Sequence, residues 1–290
     1  MLLNHYTVDR WKVGSISMTA TATRNGTAYR LKRYLNPPWP ADGNMRDARV
    51  QEQARRCERL LQERVDINRR LMSAGGRSGC LACAEEVFLC KSADAPGVVE
   101  AVREVQALRP VDQLRENPKW LLRAMVSAAD AVRRLHDARI VHADLKPENI
   151  LYCACGVTGR KVRAVLIDFD RSYIVDRVPG SEDIGVSPGF MAPEAVAYYN
   201  DEDCDDDGHD SRYRGMLSVK RDIFSLGAVY YHLLTGKSPI TTTGDIEVNL
   251  RSAPRGLRPE KLEPLLRSML ALEPSARPTA AEVMAQLKKL

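Results

Sequence analysis

Near Pro118 the hydrophobic pattern of the chain changes period, and that change limits the folds open to it. Up to about residue 34 the apolar residues alternate, through 5–11 (HYTVDRW), 17–24 (SMTATATR) and 27–34 (TAYRLKRY), and Asn25-Gly26 supplies a hairpin turn. This predicts three antiparallel strands. Pro37, Pro38 and Gly43 break the pattern. An amphipathic helix is then expected over about 46–73, stopped by Gly75-Gly76, with two further strands at 84–91 and 97–102. From Pro118 onward apolar residues recur at helical spacing, interrupted by a hairpin around Gly156 and Gly159. The expected fold is α+β and two-lobed: a small β-rich N-lobe with one long helix, then a larger helical C-lobe. Such an architecture places a ligand cleft at the junction near 99–105.

Composition narrows the classes further. With 290 residues, 44% of them hydrophobic and 28% charged, the chain reads as an ordinary globular protein. No apolar run approaches the ~18 residues of a spanning helix, and the first residues turn polar too early for a signal peptide. Seven cysteines, an odd number in a chain too large to need disulfide staples, fit a reducing compartment. A cytoplasmic location without membrane association is therefore expected. The formal charge of +5 is spread over helix faces, which argues against a nucleic-acid partner. Two cysteine pairs, Cys80 with Cys83 and Cys153 with Cys155, fall in different lobes, and only the first has zinc-knuckle spacing. Ordinary thiols are the better reading. The one strong charge run is acidic, seven Asp or Glu within 201–210. It reads as a surface insertion at about 200–212 that could dock a basic partner.

The chemistry concentrates in His142-Ala143-Asp144-Leu145-Lys146-Pro147-Glu148-Asn149, followed 19 positions later by Asp168-Phe169 at the end of an apolar strand. Taken singly these are common surface polars; their order and spacing are not. The segment resembles the catalytic loop of the eukaryotic-like (Hanks-type) Ser/Thr protein kinases. The resemblance extends to Met191-Ala192-Pro193-Glu194, which looks like the end of an activation segment, to Asp222 at a helix start, and to Arg277, which would pair with Glu194. It covers nearly the whole chain, so 1–290 is read as one kinase domain, N-lobe about 1–100 and C-lobe about 103–290.

The resemblance implies ATP and Mg²⁺ as cofactors and a protein Ser or Thr hydroxyl as acceptor. Asp144 would be the catalytic base, and Lys146 would place a charge near the γ-phosphate. Asn149 and Asp168 would hold Mg²⁺ through oxygen atoms. Leu151 would floor the adenine pocket, with Val99 guarding its rear and Glu100 to Val102 offering a backbone edge to the nucleotide.

The N-lobe departs from the family pattern. Where a Gly-rich loop is expected, 11–18 hold one glycine, Gly14. The phosphate-gripping strand lysine is taken as Lys32, with Arg30 as the competing register. Its helix partner is taken as Glu58, with Glu52 and Glu63 as the other candidates. Two rival readings follow: a pseudokinase that binds nucleotide or partners without turnover, favoured by the poor Gly-rich loop, and a small-molecule kinase of the aminoglycoside or choline type. The intact Asp144, Asn149 and Asp168 oppose the first, and the segment ending at Glu194 opposes the second. Ala143 stands where kinases switched by loop phosphorylation carry an arginine, so the activation segment is expected to be held by packing.

Overall fold

A computed structural model describes residues 2–14, 16–41, 46–76, 79–93, 95–105, 111–155, 161–185, 187–201, 212–240 and 246–290. The chain divides into two compact units. Met1–Ser73 and Ala82–Gln106 form the first, and Ala74–Leu81 and Ala107–Leu290 form the second.

The first unit is an antiparallel sheet with one helix. Its strands are β1 (Leu2–Leu3), β2 (Tyr6–Val8), β3 (Lys12–Val13), β4 (Ser17–Arg24), β5 (Thr27–Tyr34), β6 (Ala84–Cys90) and β7 (Gly97–Arg103). They run in the order β1-β2-β4-β5-β7-β6, with β3 paired to β4. The segment expected as one strand over 5–11 is split into β2 and β3, both of which pair with β4. Asn25 and Gly26 turn β4 into β5 with φ of 51° and 76°, the left-handed pair that a tight hairpin requires. At the β3–β4 turn, the Gly14 N–H donates to Ser17 O at 2.9 Å, and a Cβ on Gly14 would meet that oxygen at 2.8 Å.

Alternation along the strands builds two apolar faces. Tyr6, Ala20, Ala22, Leu31, Val99 and Ala101 pack together on one. Tyr34 and Val98 on the other meet Cys57 and Leu61 of α1 (Ala48–Leu71), which is capped by Asp47 accepting from the Arg49 N–H at 2.7 Å.

The second unit contains α2 (Val111–Arg115), α3 (Pro118–Asp137), β8 (Ile140–Val141), β9 (Ile150–Cys155), β10 (Lys161–Leu166), β11 (Tyr173–Ile174), α4 (Pro193–Tyr199), α5 (Lys220–Thr235), α6 (Pro259–Met269) and α7 (Ala280–Leu287). Asn117 caps α3 and Pro118 opens it, where a missing N–H costs nothing. Leu121, Met125, Ala128, Val132 and Leu135 give α3 a buried stripe, and α5 is apolar on nearly every side, as a central helix must be. A reciprocal capping box between Thr279 and Glu282 starts α7.

Two short antiparallel ladders position the loop of interest. Strand β8 pairs with β11 through Val141 and Tyr173, and β9 pairs with β10 from Ile150–Leu166 to Cys155–Lys161. Residues 142–149 run from β8 to β9, so both of their ends are tied to hydrogen-bonded strands.

Candidate active site

The loop between β8 and β9 is held from beneath by one carboxylate. Asp222 near the start of α5 accepts the backbone N–H of His142 at 2.8 Å and of Ala143 at 3.0 Å, and its Oδ2 also meets His136 Nε2 at 3.0 Å. Arg221 donates to Ala143 O at 3.2 Å, and the Ser172 hydroxyl donates to His142 O at 3.1 Å. These bonds fix a conformation the chain would otherwise avoid. Ala143 has φ of 68° and Asp168 has φ of 65°, left-handed geometry that costs a non-glycine residue about 1–3 kcal/mol.

His142 is fully buried, and its Nε2–H donates to Ile167 O at 3.1 Å, tying the loop to the residue before Asp168. Its ring lies 5.0 Å from that of Phe169. Burial pushes the His142 imidazole below its ordinary range and outweighs the opposing pull of Asp222, Asp144 and Asp168. Burial alone would raise the Asp222 carboxyl; the hydrogen bond and charge of His136, with further support from His142, hold it below its ordinary value instead.

On this support Asp144 gathers three partners. Lys146 Nζ donates to Asp144 Oδ2 at 2.8 Å and lies 3.4 Å from Ser187 Oγ. The Ser187 hydroxyl donates to Asp144 Oδ1. The Asn149 amide nitrogen donates to Asp144 O at 2.8 Å and to Asp144 Oδ2 at 3.1 Å, which leaves Asn149 Oδ1 as the atom able to meet a cation. Leu151 follows on β9, opposite Val165. Among the described residues no cluster of three His, Cys, Asp or Glu is poised to hold a metal.

The sites expected in the first unit are arranged differently. Strand β7 lies between β5 and β6 and is paired on both sides from Val99 to Val102. The backbone of Val99, Glu100 and Val102 is thus committed to the sheet interior and presents no edge to a nucleotide. The strand expected at 97–102 is found at Gly97–Arg103, and the first unit runs to Gln106, past the expected N-lobe limit of about 100.

Lys32 is half-buried on β5, opposite Glu100. Arg30, on the same face, is exposed and lies 3.8 Å from Glu104. Glu58 is exposed, and Glu52 pairs with Arg59 at 2.7 Å on the outer side of α1. The helix residue that turns inward to a charge is Arg64, whose Nε donates to Glu100 Oε1 at 2.7 Å. One residue past buried Cys57, Glu58 is rotated by about 100° from it, off the buried stripe.

The protein kinase domain family matches this chain over residues 99–287. The chain belongs to that family. It is 30% identical over 200 residues to the serine/threonine-protein kinase AfsK of Streptomyces coelicolor, covering 67% of the chain and 21% of that protein. It is 31% identical over 177 residues to the putative serine/threonine-protein kinase R436 of Acanthamoeba polyphaga mimivirus, covering 58% of the chain and 56% of the relative. A solved structure of titin kinase and its flanking domains superposes with a TM-score of 0.64 at 18% identity, over 99% of the chain and 47% of that structure, which shows the fold. The chain spans less than two thirds of the length of each of these proteins.

Within this kinase domain, sequence reasoning missed two contributors. Asp222 was noted as a helix start; that its carboxylate holds the catalytic loop follows only from a contact 79 and 80 residues away. Arg64 and Glu100 were missed as a pair, although a Glu inside an otherwise apolar strand was a signal that a cation must meet it. The acidic run at 201–210, apart from Asp201, and with it the expected docking of a basic partner, lies outside the described residues.

Proposed function

We propose that this domain transfers the γ-phosphoryl group of ATP to a Ser or Thr hydroxyl of a protein, with Asp144 receiving the hydroxyl proton. The observation that carries the reading is the Ser187 contact: a serine hydroxyl already donates to the Asp144 carboxylate, with the Lys146 ammonium beside both. That is the arrangement a base needs to orient an acceptor hydroxyl. Lys146 supplies a fixed positive charge where negative charge spreads over the phosphoryl oxygens.

Asn149 Oδ1 and the Asp168 carboxylate are hard oxygen donors from one loop and one strand end, and they fit Mg²⁺, which takes one or two protein ligands and fills the rest with phosphate and water. Bound there, Mg²⁺ would neutralise phosphate charge. Lys32 would grip the nucleotide phosphates, and Leu151 would contact the adenine. The backbone edge for adenine is reassigned to the chain beyond Arg103, where β7 ends. Cys57, Cys80, Cys83, Cys90 and Cys153 are free thiols, in keeping with a reducing cytoplasm. No described helix is long and apolar enough to cross a membrane.

Incubation with labelled ATP and Mg²⁺, offering a generic basic protein and a panel of small metabolites, tests the reading. Label on the protein acceptor, absent with Asp144→Asn, is the expected result. Label on metabolites alone, or nucleotide binding without turnover, would overturn it.

A further inference from the structure

Helix α3 packs against both α7 and β10, all within the second unit. Where the three meet, the surface opens into a groove of about 740 Å³. Its apolar lining is Leu122 and Val126 of α3, Val162 of β10, and Met284 and Leu287 of α7. Leu287 is fully buried, but the other four are only half-buried. The Ser127 hydroxyl oxygen accepts the Ala164 N–H at 2.9 Å, so the α3 wall is fastened to the β10 wall.

The rim of the groove is cationic. Arg123, Arg133, Lys161 and Lys288 line it against a single carboxylate, Asp130. Both oxygens of that carboxylate are already taken, Oδ1 by Arg133 at 2.8 Å and Oδ2 by Arg134 at 3.0 Å. Lys161 and Lys288 are exposed, and among the described residues neither ammonium has a carboxylate partner. Arg123 and Arg133 stand about 15 Å apart along the axis of α3, so positive charge flanks Val126 on both sides. An amphiphile with one charged head needs its cations at one end only. Cations on both sides of an apolar floor suit a chain that carries several carboxylates around apolar side chains.

We propose that this groove docks an acidic segment of a partner protein, which inserts apolar side chains between α3, β10 and α7 while its carboxylates meet Lys161 and Lys288. The chain's own acidic run at 201–210 matches the rim but not the floor, since Cys204 is its one apolar side chain. The groove is remote from the candidate active site. Lys161 pairs with Cys155 at one end of the β9–β10 ladder, and Leu166 pairs with Ile150, the neighbour of Asn149, at the other. About 17 Å of strand separates the two ends. Docking in the groove therefore leaves the hydrogen bonds of Asp144 undisturbed.

Fluorescence anisotropy on the full chain, without nucleotide, tests this. The probe is a labelled peptide of about 14 residues in which leucines recur at every third or fourth place among glutamates. Saturable binding is expected, weakened tenfold or more by Lys161→Glu combined with Lys288→Glu. Both lysines are exposed and lie outside the catalytic loop, so this variant should keep the Tm of the parent. Replacing the leucines of the peptide by serines should also cost tenfold or more.

Failure of the leucine peptide to bind, or equal binding by the double variant, would overturn the proposal. Equal binding by the serine peptide, or by a peptide of residues 201–210, would reduce the effect to charge attraction and overturn it as well. Vesicles containing phosphatidylserine form a separate arm. If they bind through Lys161 and Lys288 and the peptide does not, the groove faces a membrane and the proposal falls.

Discussion

Arg277 and Glu194 form a two-pronged ion pair from which solvent is excluded: Nη1 and Nη2 donate to the two carboxylate oxygens at 2.6 and 2.8 Å, with the side chains 0% and 1% exposed. Every N–H of the guanidinium is used, since Nε donates to Ala271 O, Nη1 to Lys220 O and Nη2 to Leu272 O at 2.8, 3.1 and 3.0 Å. The pair joins the first turn of α4 to the segment before α7, and α5 lies between them in sequence. It thus ties the end of the activation segment to the core of the second unit.

Removing one partner strands the other as a buried charge, so Arg277→Ala and Glu194→Ala should each destabilise the second unit by about 3–5 kcal/mol. Arg277→Lys should recover little of this, because an ammonium cannot reproduce the planar fork. Urea unfolding midpoints of the three variants check the order. A lysine variant as stable as the parent would mean that charge, and not geometry, carries the contact.

Asp144→Asn keeps the shape of the side chain and removes its ability to take a proton. Turnover should fall by about 10²–10⁴-fold, the usual contribution of a positioned acid or base. Nucleotide affinity should stay within a few fold of the parent, because the proposed role of Asp144 is to orient the acceptor hydroxyl and not to ligate the nucleotide. Asp168→Asn, which weakens a proposed cation ligand, should reduce Mg²⁺-ATP binding as well. Titrating a fluorescent ATP analogue alongside the phosphorylation assay separates the two effects.

Lys32 and Arg30 share a face of β5, but Arg30 is exposed at 49% and has Glu104 for company, whereas Lys32 stands opposite buried Glu100. Lys32→Met is therefore expected to abolish most activity. Arg30→Ala should leave activity within about threefold and stability within about 1 kcal/mol, the range of an exposed ion pair. Steady-state kinetics at several ATP concentrations decide between them, and the reverse order would move the phosphate-gripping role to Arg30.

What could be read from the sequence was whatever depends on local spacing. The Asn25-Gly26 hairpin, the helix start at Pro118 and the loop from His142 to Asn149 all act through neighbours a few residues away, and each appears where its pattern put it. The Arg277–Glu194 pair, though 83 residues apart in sequence, was legible because both residues belong to family motifs. The face of α1 was not. Seven arginines lie between 48 and 71, and hydrophobic periodicity cannot say which of them turns inward, because the residue that decides it, Glu100, comes from a strand 36 positions later. The pairing of β7 on both sides was missed for a related reason: a strand flanked on both sides and one that frees an edge have the same local pattern.

Stability should fall on the acid side in two stages. His142 is kept neutral by burial, its pKa below the ordinary value of 6.5, so the unfolded chain binds the proton more readily and stability is lost as pH drops below about 6.5. Asp222 is held below its ordinary 3.8, so its contribution is full above that value and is lost as pH falls from there toward the lower folded value. Melting temperatures of the parent between pH 7 and pH 5 should decline, and His142→Gln should be less stable at pH 7 but show a flatter decline. A parallel decline in both would remove His142 as the origin of the first stage.

Hydrogen bonds fasten the described residues of the activation segment. Arg171 donates to Asp183 O at 3.1 Å, Arg214 to Val178 O at 2.6 Å and the Tyr198 hydroxyl to Pro179 O at 2.9 Å. Beneath these bonds Ile184, Met191, Ala195, Tyr198 and Leu217 form an apolar cluster. Ala143 cannot clamp a phosphate, and its backbone is already engaged by Asp222 and Arg221. Ser181 starts a short turn in this segment, its backbone O accepting from the Ile184 N–H at 3.3 Å, while the three side-chain bonds above are made by other residues. Ser181→Ala should therefore phosphorylate substrate at the parent rate, and phosphatase-treated protein, verified by mass spectrometry, should keep most of its activity. A loss of tenfold or more in either measurement, about 1.4 kcal/mol of barrier, would show that the hydrogen bonds and the apolar cluster are not sufficient and that a phosphate completes the segment.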